Sequence, residues 1–84
     1  MRITLLPHAK DQMAERGISD DEVRTTLQEP DREYPGNLGR TVAERTPPGV
    51  LLAVKVVYNL GAGDERVVVT VMRGRPTRPE GGWS

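Results

Sequence analysis

His8 is the only imidazole in the 84-residue chain, and it stands one residue past a proline in the run PHAKDQMAER. Proline suits the first turn of a helix, where its missing N–H is not needed. His8 is therefore expected beside the positive end of a helix dipole, where an uncharged ring can serve as a general base. The plainer reading is that His8 packs or hydrogen-bonds at a strand-to-helix junction. Five cations are the other candidates. Arg16 offers a fork of donors matched to phosphate oxygens, or else it caps the last helix carbonyls or a nearby carboxylate. Arg45, Lys55, Arg66 and Arg73 form a possible substrate-binding basic face for a nucleic-acid backbone, or an ordinary solvated sheet face.

Other chemistries are excluded or poorly supported. With no cysteine, the chain has no disulfide, no thiolate zinc site and no thiol nucleophile. One histidine cannot build a histidine metal cluster. Asp11 and Glu15 lie one helical turn apart but lack a third strong ligand, so neither a metal nor a cofactor is expected. Gly61-Ala62-Gly63 opens no helix and is not read as a phosphate cradle. Tyr34, Tyr58 and Trp83 are too few for a base-stacking platform.

The elements that must position these residues are punctuated clearly at the N-terminal end. Arg2 to Leu6 reads as a short strand, and a first helix runs from Pro7 to Arg16, closed by Gly17, where a left-handed backbone is cheap. Ser19 and Glu22 form a capping box for a second helix, with Ile18 stapled onto Val23. Asp20, Asp21 and Glu22 complement that helix's positive end, and Glu29-Pro30 ends it. Ala9 and Met13, then Val23 and Leu27, make narrow apolar stripes that need a partner surface.

The rest of the chain reads as strands. Asp31 to Tyr34 is a short strand or extended link, and Pro35-Gly36-Asn37 a turn. Gly39 to Thr46 alternates with Val42 on one side and Thr41, Ala43 and Arg45 on the other. Val50 to Asn59 places Leu52, Val54, Val56 and Tyr58 on one face. In Glu65 to Arg73, Val67, Val69 and Val71 point one way and Arg66, Val68, Thr70 and Met72 the other. The all-valine face is the expected seat of the helices. That arrangement puts Lys55, Arg66 and Thr70, with Arg45, on the open face. The expected fold is thus α+β: a short N-terminal strand, a two-helix hairpin, then an antiparallel meander of three to four strands with helices on one face. Residues 1–75 are expected to form one domain, followed by a flexible tail over 76–84 in which Trp83 docks or hangs free.

Net charge is zero, but residues 1–34 carry five Lys or Arg against eight Asp or Glu, and residues 35–84 seven against four. An acidic helical part and a basic remainder can aim one face at an anion. No apolar run reaches the roughly 20 residues that span a bilayer as a helix, and the N-terminus lacks a secretory pattern. A cytoplasmic location with no membrane partner is the expectation.

The string from His8-Ala9 through Gln12-Met13, Glu15-Arg16-Gly17-Ile18-Ser19 and Glu22-Val23 resembles the domain-of-unknown-function family 4258, whose pattern begins HAxxRMxERGIS. Its later VxVTV-type strand is matched by Val67 to Val71. Gln12 stands where that family usually has arginine. The family in turn looks similar to RelE and ParE toxins and BrnT-like ribonucleases, with a strand, two helices and four strands. The resemblance implies a toxin-like, metal-independent endoribonuclease, with His8 and Thr70 as catalytic candidates and RNA as substrate. It also implies a cognate antitoxin-like protein as a partner. The competing expectation is a non-catalytic interaction domain or homodimer, since fold analogy alone does not carry activity.

Overall fold

A computed structural model of the chain describes residues 1–77. In chain order the elements are β1 (Arg2–Leu5), α1 (Pro7–Arg16), α2 (Asp20–Gln28), β2 (Arg32–Pro35), β3 (Thr41–Arg45), β4 (Ala53–Leu60) and β5 (Glu65–Gly74), with one 3-10 turn at Asn37–Gly39. The five strands make one sheet in the order β1-β5-β4-β3-β2. β2 to β5 form the expected antiparallel meander, while β1 pairs in parallel with β5, so the sheet is mixed and the fold α+β.

Local chemistry places both helices. Gly17 adopts φ 64°, and Ile18 N–H donates back to Met13 O at 2.9 Å, turning the chain sharply out of α1. The Ser19 hydroxyl accepts from Glu22 N–H while the Glu22 carboxylate accepts from Ser19 N–H, each at 3.1 Å. This reciprocal cap is worth about 1 kcal/mol.

α1 lies on β5 and α2 on β4 and β3. Ala9, Met13, Ile18, Val23 and Leu27 from the hairpin meet Ala43, Val54, Val56, Tyr58, Val68 and Val71 from the sheet. Only Ala9 and Met13 of α1 are buried, too few to fix a ten-residue helix firmly. Its remaining hold is polar. β1 stops at Leu5, opposite Val68, whereas β5 continues to Gly74. Past that point the bare edge of β5 is completed by α1: Val71 N–H donates to Gln12 Oε1 at 2.8 Å and Arg16 Nη1 donates to Val71 O at 2.8 Å. Arginine has no acceptor, so it could not replace Gln12 in the first of these bonds.

Three expectations are corrected. The helix-facing residues of β5 are Val68 and Val71, both fully buried, and not the series Val67, Val69, Val71. The cause is a bulge: Val57 pairs with Thr70 but Tyr58 with Val68, leaving Val69 unpaired and reversing the alternation. For the same reason Arg66 lies on the helix side with Val68, and Arg45, which reaches α2, also belongs to that side. Finally, β4 begins at Ala53, because Gly49 (φ 82°) and Val50 to Leu52 form an exposed loop. No described helix is long and apolar enough to cross a membrane. The expected tail is described only as far as Thr77; Trp83 lies outside the described residues.

Candidate nucleic-acid interface

The helices leave one sheet face uncovered, and strand register sets what stands on it. One cross-strand row runs Arg32, Glu44, Lys55, Met72, and the next runs Tyr34, Val42, Val57, Thr70. Alternation places both rows on the face opposite Val54, Val56 and Val71.

The first row is centred on Glu44, whose side chain is only 1% exposed although no helix covers it. Thr77 N–H donates to Glu44 Oε2 at 2.7 Å, and the Thr77 hydroxyl donates to Oε1 at 2.9 Å. Tyr34 donates its phenol proton to Oε1 at 3.0 Å, while Lys55 Nζ lies 3.6 Å from Oε1 and Arg32 Nε 3.7 Å from Oε2. Burial pushes the Glu44 carboxyl up, but the Thr77 amide and hydroxyl, the Tyr34 phenol and the Lys55 ammonium outweigh it and hold the carboxyl below its ordinary value. Glu44 is therefore an ionised acceptor at neutral pH. Arg32 Nε–H is buried and finds no hydrogen-bond acceptor among the described residues.

Beside this cluster, a groove of about 300 Å³ is floored by Val42, Val57, Thr70 and Met72 and walled by Gly36, Asn37 and Arg40. The wall comes from the 3-10 turn, where Leu38 holds a left-handed backbone (φ 59°) that a branched residue adopts only at a cost. Arg32, Arg40 and Lys55 against Glu44 give this face a surplus of positive charge.

The sequence-nominated residues divide between the two faces. Lys55 and Thr70 stand on the open face. His8 is exposed in the first turn of α1, within the helical layer, so it and Thr70 belong to different layers. Arg16 is bound to Val71 O. Arg45 donates to Glu29 O at 3.0 Å, and Arg73 donates to Gly17 O at 3.1 Å and lies 3.3 Å from Glu22 Oε2. Arg66 donates to Asp64 O at 3.0 Å and sits 5.7 Å from the centre of the Tyr58 ring. These four arginines tie helices, turns and strand ends together and do not share one surface with Lys55.

Sequence reasoning missed Arg32, Tyr34, Arg40 and Glu44. A signal existed for Glu44 and Lys55, a single acid and a single base in the interiors of two apolar strands. Arg32 and Tyr34 alternate on β2 as well. Arg40, in a turn, carried no such mark.

A family model described as Domain of unknown function (DUF4258) matches residues 5–73. No curated protein and no solved structure matches the chain significantly.

Proposed function

We propose, for a chain that belongs to the DUF4258 family of unknown function, that it takes a single-stranded RNA backbone across the open sheet face and acts as a toxin-like, metal-independent endoribonuclease. The observation that carries this reading is a groove walled by Arg40 and floored in part by Thr70, beside a row that holds Arg32 and Lys55 on Glu44, all on the face no helix covers. Guanidinium and ammonium groups hold phosphate oxygens, and a shallow apolar floor accepts the flat face of a base. In such cleavage a 2′-hydroxyl attacks the adjacent phosphorus, so the cations also stabilise charge that grows in the transition state. His8, on the other layer, remains a candidate base only if substrate wraps the sheet edge beside α1. The structural alternative is a plain helix-start residue.

The test is binding and cleavage of a short single-stranded RNA in chelator-containing buffer. With three cations neutralising phosphates, log affinity falls against log salt with a slope of about −2. Arg40→Ala weakens binding with unchanged melting, Lys55→Ala weakens binding and also lowers melting because the buried Glu44 loses a partner, and cleavage products carry a 5′-hydroxyl end. Salt-insensitive binding, or none, contradicts the proposal.

One observation favours a second reading, a non-catalytic protein-interaction domain. Val50, Leu51 and Leu52 are 49%, 89% and 46% exposed on one loop. Binding of an antitoxin-like protein or a second copy through that loop, with no affinity for RNA, selects it.

A further inference from the structure

Resting on the RNA reading above, we infer that Thr77 occupies on Glu44 the place of a ribose 2′-hydroxyl, so residues 75–77 after β5 form a displaceable strap and Glu44 makes the site prefer RNA to DNA. A carboxylate is an odd group to find in a phosphate-binding face. It repels the backbone, and its use there is to accept a proton donor. RNA differs from DNA by such a donor, the 2′-hydroxyl.

The geometry around Glu44 fits an exchange of this kind. Both carboxylate oxygens are occupied by Thr77: the hydroxyl sits 2.9 Å from Oε1 and the amide 2.7 Å from Oε2. Thr77 follows the end of β5 and has no strand partner among the described residues, so these contacts with the Glu44 side chain are what hold it. The hydroxyl also lies 3.1 Å from the Tyr34 phenol oxygen, a second polar atom that an incoming ribose can use. Arg32 Nε–H, buried beside Oε2, has no hydrogen-bond acceptor among the described residues. A nucleotide offers a hydroxyl proton for Glu44, as Thr77 does, together with what Thr77 does not supply, oxygens for Arg32 and Lys55. The strap therefore satisfies the acceptor in the empty site and leaves a donor unmatched, which favours replacement by a ligand that completes both.

Removing the strap's contacts without shortening the chain tests this. Thr77→Pro deletes the amide proton and the hydroxyl together; Thr77→Val deletes the hydroxyl alone. Each is titrated with the same short sequence as RNA, as DNA and as 2′-O-methyl RNA, after melting curves establish that the fold is retained. A site blocked most of the time gains apparent affinity in proportion to the fraction released. Thr77→Pro is expected to bind RNA about tenfold more tightly than the parent, with Thr77→Val between them, while DNA and 2′-O-methyl RNA change by less than about twofold. Equal gains for all three oligomers overturn the hydroxyl exchange and leave only steric cover. Unchanged RNA affinity in both variants overturns the strap while sparing RNA binding. No RNA binding by the parent or by either variant defeats the functional reading itself.

Discussion

The two faces of this sheet use the same kinds of residue for opposite ends. On the helix side, arginines are spent on the fold: Arg16 finishes the edge of β5, Arg45 holds the end of α2, and Arg73 joins β5 to the turn between the helices. On the open side, Arg32 and Lys55 flank one buried carboxylate and Arg40 walls the adjoining groove, and none of the three side chains bonds a helix end or a backbone carbonyl among the described residues. A count of positive charge along the chain cannot distinguish these uses. What separates them is whether a backbone carbonyl or helix end lies within reach.

The largest difference between the faces is expected when one substitution is placed in turn on two neighbouring residues of β4. Val56 is fully buried under the helices and Val57, its successor, floors the groove. Val56→Asp buries an unpaired charge and is expected to cost more than about 4 kcal/mol, enough to unfold a domain of this size. Val57→Asp is expected to leave most of the stability in place and to weaken RNA binding, since it adds a negative charge to the groove. Thermal melting and an RNA titration of both variants check this. Similar melting temperatures for the pair contradict the assignment of faces.

Gln12→Arg sharpens the account of the helix side. It removes the acceptor for Val71 N–H and puts a second cation near Arg16, with an expected cost of about 1–3 kcal/mol. Chemical denaturation measures it, and a neutral result shows that the edge of β5 finds another acceptor.

A smaller effect is expected on the open side from acid. The folded carboxyl of Glu44 titrates below its ordinary value near 4.5. Its contribution to stability is therefore complete above that value and lost as pH falls through the lower folded one. Melting temperatures taken from about pH 7 down to about pH 3 should fall further for the parent chain than for Thr77→Pro, which lacks the contacts that lower the carboxyl. Parallel curves contradict the role given to Thr77.

The legible parts of the fold were those written in adjacent residues. Gly17, Ser19 and Glu22 specify the helix hairpin through contacts three or four residues apart, and the strand alternation around Val54, Val56 and Tyr58 needs no partner to be read. The faces of β5 were not legible, because one extra residue at Val69 exchanges inward and outward positions and is visible only against β4. The parallel pairing of β1 with β5 joins residues about sixty positions apart and leaves no local mark. The candidate site failed for the same reason. Lys55 is nominated by its charge and Thr70 by the family resemblance, but Glu44, Arg32 and Tyr34 become a group only when β2, β3 and β4 lie in register.

The most direct measurement of the central claim is a map of amide chemical shifts in the isotope-labelled chain during titration with a short single-stranded RNA. The account predicts shifts concentrated on Arg32, Arg40, Glu44, Lys55, Thr70 and Thr77, with Val23 and Leu27 of α2 unmoved. Shifts centred on α1 and α2, or confined to the exposed loop of Val50 to Leu52 with the open face silent, would contradict it.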